Sequence, residues 1–199
     1  GVFLIDHFAG TPDRLFTTYE ALREDNPKAF IGLNILCVRA ALDAFALVND
    51  ADLEAPPQAV WFDDASEDHE ELADYREENT HLKSIRYFGG VAFKGTPGYT
   101  DDPAETSRET QRLAPYIDVV TTSGVGTGRA ADPGKVVAMK RALGDRPLAL
   151  ASGVSPENVS LYRAADMLLV ATSIETNPGS GVFDVVKLAK LISNTRHHF

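Results

Sequence analysis

Seven short apolar runs, separated by segments with helical spacing, constrain the fold of this chain more than any other feature of its sequence. The runs are rich in Val, Ile, Leu and Phe and nearly continuous, which is typical of strands buried on both faces. Because strand and helix patterns alternate along the whole chain, the sequence predicts repeated βα units of about 25–30 residues. The predicted strands are Val2–Ile5, Phe30–Leu36, Val60–Phe62, Tyr87–Phe93, Ile117–Thr121, Leu148–Ala151 and Met167–Ala171.

Cap signals mark three of the predicted helix starts. The dipeptides Asp132-Pro133 and Ser155-Pro156 each combine an N-cap residue with a proline at the first helical position. A third cap residue, Asp184, precedes the last amphipathic segment. We therefore expect helices to begin directly after each of these three caps.

Two architectures fit this alternation, a closed barrel and an open doubly wound sheet. A barrel needs eight strands, and the sequence shows seven, with its first residues already inside a strand. Restoring one βα unit would bring the length toward the roughly 250 residues of a typical barrel. We therefore predict an α/β fold, a (β/α)8 TIM barrel of the phosphate-binding type whose first strand and first helix are missing from this chain. Residues 1–199 are expected to form a single domain.

The composition excludes several classes of protein. With 19 Lys and Arg against 29 Asp and Glu, the formal net charge is −10, which argues against a nucleic-acid partner. No apolar run approaches the roughly 18 residues of a membrane span, so no integral membrane segment is expected. The single cysteine, Cys37, excludes an internal disulfide and is interpreted as a core residue. A reducing, cytoplasmic location is expected.

Polar or chargeable side chains follow the predicted strands, and in a barrel the C-terminal strand ends build the active site. Histidine titrates near neutrality and paired carboxylates can divide into an acid and a base, so these residue types suit proton transfer. No cofactor is predicted, although the same carboxylates are compatible with Mg²⁺. The candidate catalytic residues are Asp6, His7, Asn34, Asp63, Asp64 and Lys94.

Alternatives remain open for these candidates. Adjacent strand residues point to opposite faces, so only one of Asp63 and Asp64 is expected to face the barrel axis. Lys94 is expected to bind an anion, held charged by Asp63 or Asp64, with Schiff-base chemistry as the second role. For any one of the polar strand ends, ordinary turn and cap chemistry is the competing explanation.

The last three strand ends carry small residues and hydroxyls that favour phosphate binding. Glycines let backbone N–H groups approach an anion closely, and phosphate sites in barrels commonly use the loops after strands seven and eight. A dinucleotide fingerprint is rejected because the next strand does not end in the acid that a ribose hydroxyl needs. The candidate phosphate-binding residues are Ser123, Gly124, Gly126, Thr127, Gly128, Ser152, Gly153, Thr172 and Ser173.

Several stretches resemble the BtpA/SgcQ family of barrel proteins. The most specific are Ala151–Val159 followed by Ala165–Ser173, and the segments 1–7, 30–36, 88–94 and 120–128 resemble it as well. The resemblance implies a (β/α)8 barrel with a phosphate-type site on Gly124, Thr127, Gly128, Ser152, Gly153, Thr172 and Ser173. One branch of that family is linked to photosystem I assembly, and another sits among sugar-metabolism genes.

Two functional hypotheses follow. The first is an enzyme that acts on a small phosphorylated metabolite, a phosphosugar or phosphoribosyl compound, by isomerase, lyase or transferase chemistry. The second is a non-catalytic assembly or regulatory protein that retains a ligand pocket, and a homo-oligomer is compatible with both. A dry pocket with convergent acid–base groups favours the enzyme, and a large exposed apolar patch favours the assembly protein.

Overall fold

The computed structural model describes residues 1–6 and 11–196, so the predicted site residue His7 lies outside the described residues. The strands are β1 Val2–Ile5, β2 Ile31–Asn34, β3 Ala59–Phe62, β4 Arg86–Gly90, β5 Val119–Ser123, β6 Leu148–Ala151 and β7 Met167–Leu169. The α-helices are α1 Pro12–Asp25, α2 Ala41–Asp50, α3 His69–Glu78, α4 Pro103–Leu113, α5 Pro133–Leu143 and α6 Val185–Arg196. Short 3₁₀ helices span Thr80–Ser84, Ala114–Tyr116, Val159–Tyr162 and Thr172–Ile174.

The chain divides into two compact units. The first comprises Gly1–Gly90 with Tyr116–Asp118, and the second comprises Val91–Pro115 with Val119–Phe199. In the first unit, β1, β2, β3 and β4 pair in chain order and all are parallel. Every residue of β2 and β3 is buried, as the continuous apolar runs predict for strands covered on both faces.

The second unit contains three parallel strands, β5, β6 and β7, also paired in chain order. All residues of β5 and β6 are buried, and the side chains of Val120, Leu148 and Leu150 are at most 1% exposed. Helices α4 and α5 precede β5 and β6 along the chain, so the βα alternation continues through this unit.

The predicted strands are found, two of them with the bounds expected. β1 and β6 match the predicted ranges. β2 lies within the run predicted over 30–36, and β4 begins one residue before the run predicted over 87–93 and ends at Gly90. Apolar residues therefore continue past the ends of these strands: Ile35, Val91 and Phe93 are buried in the loops that follow. Continuous hydrophobicity reports burial rather than pairing, which is why these two predicted runs extend past the ends of their strands.

Two of the three predicted helix caps are confirmed. Asp132 accepts hydrogen bonds from the N–H groups of Gly134 and Lys135, and Asp184 accepts from Val186 and Lys187. The third prediction, an α-helix directly after Ser155, is wrong: the structure has the four-residue 3₁₀ helix Val159–Tyr162 in this part of the second unit.

The prediction at Ser155-Pro156 is wrong because a side chain closes a local turn. Asn158 Oδ1 accepts the Ser155 N–H at 2.7 Å, and Asn158 Nδ2 donates to the Gly153 carbonyl at 2.8 Å. These bonds offer the backbone an alternative to a helical ladder.

Among residues 1–6 and 11–196, no helix has both the length and the apolar character that crossing a membrane requires.

Candidate functional site

In the first unit, the carboxylate of Asp6 is bound to the backbone that follows β2. Its Oδ1 accepts the Leu36 N–H at 2.6 Å, and its Oδ2 accepts the Cys37 N–H at 3.3 Å. Both oxygens therefore stabilise the loop between β2 and α2. Cys37 itself is exposed, so its interpretation as a core residue is wrong. Partial desolvation of the thiol by its surroundings, followed by the neighbouring Asp6, raises the pKa of Cys37.

Asn34 and Asp63, at the ends of β2 and β3, contact one another. Asn34 is 2% exposed, and its Nδ2 donates to Asp63 Oδ1 at 3.4 Å. Among the residues that the structure describes, the buried Asn34 Oδ1 has no hydrogen-bond partner. Asp64 is used differently, because its Oδ1 accepts the N–H and the hydroxyl of Ser66 at 2.9 and 2.6 Å. The two adjacent acids therefore have distinct environments.

A further acid in the first unit, Asp68, was not singled out by the sequence. Its Oδ2 accepts the Leu42 N–H at 2.6 Å, so it satisfies a free amide in the first turn of α2. Asp68 has a φ of 49°, in the left-handed region that disfavours most side chains. Burial raises the pKa of Asp68, and the hydrogen bonds from Leu42 and Ala41 oppose that shift.

In the second unit, two glycines allow the loop after β5 and the loop after β6 to approach one backbone segment. A Cβ built on Gly124 would lie 2.4 Å from the Arg129 carbonyl oxygen, and one on Gly153 would lie 2.2 Å from the same atom. Gly153 also has a φ of 73°. Glycine is therefore required at both positions by close approach, independently of any ligand.

Ser152 joins the two loops through its hydroxyl. Its Oγ donates to the Gly126 carbonyl at 3.0 Å and accepts the Gly128 N–H at 3.1 Å. Ser152 adopts a φ of 74°, which is uncommon for a residue other than glycine. The structure therefore brings together four of the predicted phosphate-binding residues, namely Gly126, Gly128, Ser152 and Gly153.

Lys94 is attached to the same loop. Its backbone N–H donates to Ser123 Oγ at 2.9 Å, and its ammonium donates to Thr127 Oγ1 at 3.1 Å. Ser123 is fully buried and its hydroxyl also donates to the Gly124 carbonyl at 2.9 Å. Ser123 therefore holds the backbone, whereas Lys94 and Thr127 place a cation and a hydroxyl against the glycine-rich loop 124–128.

The last pair of predicted residues lies in the 3₁₀ helix Thr172–Ile174. Ser173 Oγ donates to the Val154 carbonyl at 2.5 Å, which ties this turn to the loop after β6. Within the described residues, the backbone N–H groups of Gly153, Val154 and Ser173 donate to no protein acceptor. These amides retain the hydrogen-bonding capacity that an anion uses.

A buried lysine of α5, Lys135, is a second residue that the sequence did not single out. Its side chain is fully buried, and its ammonium donates to the carbonyl oxygens of Ala92 and Ser123 at 2.8 and 3.0 Å. Asp101 Oδ1 lies 3.4 Å away, and the ammonium lies 4.5 Å from the centre of the Tyr99 ring. Burial lowers the pKa of Lys135, and the Asp101 carboxylate opposes that shift.

One sequence signal points to Lys135. It is the third residue of α5, where a cation weakly opposes the helix dipole. Across the described part of the chain, no three His, Cys, Asp or Glu side chains are grouped so that they could hold a metal ion.

No protein-family model matches the chain, and no curated protein matches its sequence. Several solved structures are similar. The N-(5'-phosphoribosyl)anthranilate isomerase of Pyrococcus furiosus aligns with a TM-score of 0.66 and 13% identity, over 98% of this chain and 87% of that chain. The phosphoribosyl anthranilate isomerase of Thermus thermophilus gives 0.63 and 18%, over 99% and 86%. A structure described as native KDPGal gives 0.66 and 14%, over 100% and 82%.

At these identities the likeness concerns the fold alone, an α/β architecture of the TIM-barrel type. It agrees with the fold class predicted from the apolar runs. The names of these similar proteins describe the substrates of those proteins.

Proposed function

We propose that the second unit binds the phosphate group of a small phosphorylated metabolite, and that the protein is an enzyme of the isomerase, lyase or transferase kind. The observation that carries this proposal is the hydrogen bond between the Lys94 ammonium and Thr127 of the glycine-rich loop. A lysine held against a loop of backbone amides is a typical way to neutralise and orient a phosphate. The similar isomerases bear names that specify a phosphoribosyl substrate, which supports the same ligand class.

The proposed site consists of one cation and several amides. Lys94 supplies the charge, while Gly153, Val154 and Ser173 supply N–H groups that have no protein acceptor among the described residues. Ser152 keeps the loops in register through its bonds to Gly126 and Gly128. The remaining members of the predicted group, Ser123, Gly124 and Thr172, support the backbone in this proposal.

For proton transfer we propose Asp63 rather than Asp64. Asp64 is engaged in a turn with Ser66, whereas Asp63 Oδ1 accepts a hydrogen bond from the side-chain amide of Asn34. An amide donor orients a carboxylate without neutralising it, which suits a general base. Asp6 is bound through both oxygens to loop amides, so its part is to stabilise that loop, and a role for His7 or Mg²⁺ stays a prediction.

A phosphate titration followed by amide NMR tests the site. Inorganic phosphate should shift the amide signals of Lys94, Thr127, Gly153 and Ser173 together, with one common dissociation constant. Lys94→Met should weaken binding at least tenfold, because a charge-assisted bond to phosphate is lost, worth about 1.5–3 kcal/mol. The matched control is Lys83→Met, which removes an exposed lysine that pairs with Glu77 in the other unit. Absence of coordinated shifts, or equal binding by both variants, would remove the proposal.

An exposed apolar stretch favours the second candidate, a non-catalytic assembly or regulatory protein. Val182, Phe183, Val185 and Val186, before and at the start of α6, are between 52% and 74% exposed. Exposed apolar residues that neighbour one another along the chain are a feature of protein–protein interfaces. A homo-oligomer that uses this surface should dissociate when Val186 is replaced by lysine, as measured by sedimentation velocity. A monomeric wild-type protein would contradict it.

A further inference from the structure

The buried ammonium of Lys135 lies between two backbone segments that carry the proposed phosphate site. One acceptor is the carbonyl of Ala92, two residues before Lys94, and the other is the carbonyl of Ser123, directly before Gly124. Through these two bonds the ammonium fixes the distance between the chain that carries Lys94 and the chain that begins the glycine-rich loop.

The two segments also depend on one another locally. The Lys94 N–H donates to Ser123 Oγ, so Ser123 is bound by Lys94 through its hydroxyl and by Lys135 through its carbonyl. Ala92 has a φ of 48°, a left-handed conformation that an alanine adopts only when its surroundings enforce it. The bond from Lys135 to the Ala92 carbonyl is one such constraint, because this conformation sets the direction of the chain toward Lys94.

The charge of Lys135 is not needed for packing. An ammonium that is fully buried is costly unless it is paired and hydrogen-bonded, and an apolar side chain of similar length fills the same volume without that cost. Here Asp101, whose side chain is 45% exposed, and the Tyr99 ring compensate the charge from the loop that follows Lys94. Lys135 therefore connects three segments: the stretch 91–94, the Asp101 loop and the end of β5.

We propose that Lys135 is a positioning residue for the phosphate site: its ammonium holds Ala92 and Ser123 so that Lys94 and the glycine-rich loop face the same anion. The inference rests on the proposed function for its ligand, but not for its effect on the unliganded protein. Lys135 does not contact the phosphate in this arrangement. It acts through Lys94 and the backbone amides.

Three variants test this role. Lys135→Met removes the charge and keeps the length, Lys135→Arg keeps the charge, and Val136→Ala is the matched control. Val136 is the next residue of α5 and is also buried, and its side chain makes no hydrogen bonds, so its truncation destabilises the same helix and leaves the bonds from Lys135 to Ala92 and Ser123 in place. We expect Lys135→Met to weaken binding of inorganic phosphate at least tenfold and Lys135→Arg to recover part of that loss. Val136→Ala should bind phosphate like the wild type, even though its midpoint of unfolding is comparable to that of Lys135→Met.

The unliganded proteins give an independent measurement. In Lys135→Met the amide signals of Lys94 and Gly124 should move, and their hydrogen exchange should accelerate, relative to Val136→Ala. If Lys135→Met does not fold, Asp101→Asn replaces it, because Asp101 is partly exposed and its loss should shift the same two signals to a smaller extent.

The outcomes separate the two proposals. If the wild-type protein does not bind phosphate but the amide signals of Lys94 and Gly124 change in Lys135→Met, the proposed function is removed and the positioning role is kept. A wild-type protein that binds phosphate, with Lys135→Met binding equally and showing unchanged signals, overturns the positioning role alone. Equal loss of phosphate binding in Val136→Ala would also overturn it, because the effect would then follow stability.

Discussion

Replacing Gly153 by alanine measures the contact between the loop after β6 and the glycine-rich loop. Gly128 provides the control because it has the same φ of 73° but nothing within 4 Å of an added Cβ, whereas a Cβ at Gly153 would lie 2.2 Å from the Arg129 carbonyl oxygen. The left-handed conformation costs an alanine about 1–2 kcal/mol, which is the destabilisation expected for Gly128→Ala. Overpacking adds about 1–3 kcal/mol, so Gly153→Ala should lose about 2–5 kcal/mol.

Urea unfolding followed by far-UV circular dichroism measures these losses. Tryptophan fluorescence is unsuited because Trp61, the single tryptophan, lies in the first unit and both glycines lie in the second. Hydrogen exchange of the β5 and β6 amides locates the effect within the second unit. Equal losses for the two variants, or a greater loss for Gly128→Ala, would refute the argument that close approach of the Arg129 carbonyl demands glycine at position 153.

Three further outcomes are expected. Asp132→Ala should lower the free energy of unfolding by about 1 kcal/mol in urea titrations, because two amides of α5 lose their cap, and an unchanged midpoint would contradict this. Alkylation of Cys37 by iodoacetamide should show a pH–rate midpoint above about 8.5, since burial and Asp6 raise the thiol pKa, and Asp6→Asn should move that midpoint down in mass-spectrometric assays. Because burial raises the pKa of Asp68, the contribution of this carboxyl to stability should be complete below its unfolded pKa of about 3.9 and should be lost as pH rises through the folded pKa. Asp68→Asn should therefore stabilise the protein at pH 7 and have little effect at pH 3 in urea titrations, and the reverse order would contradict the assignment.

The strands could be predicted from the sequence because burial on both faces leaves a direct record in composition. β2, β3, β5 and β6 are buried along their whole length, and each lies within or beside a predicted apolar run. The caps at Asp132 and Asp184 were predictable for a similar reason, since an N-cap bonds to amides only two or three residues away. Local interactions of this kind can be predicted because both partners lie within a few residues of one another in the sequence.

Interactions that depend on a distant partner could not be predicted in this way. Which of Asp63 and Asp64 serves a local turn depends on Ser66, which is nearby, but the contact of Asp63 with Asn34 joins two strand ends 29 residues apart. The Ser155 region failed for the opposite reason, because a side chain three residues away, Asn158, outcompeted the helix that the proline favoured. A proline at the first position permits a helix but does not supply the bonds that continue it.

Lys135 shows where a weak local signal and a distant one have to be combined. A cation in the first turn of α5 opposes the helix dipole by about 0.3–1 kcal/mol, which is small enough for a solvated surface lysine to tolerate. Only the fold reveals that this lysine is fully buried, with carbonyl acceptors 43 and 12 residues away along the chain. The cost of burying this ammonium is offset by the segments that it connects, through two carbonyl acceptors and the Asp101 carboxylate. For that reason we place Lys135, which no motif marks, beside Lys94 in importance for the second unit.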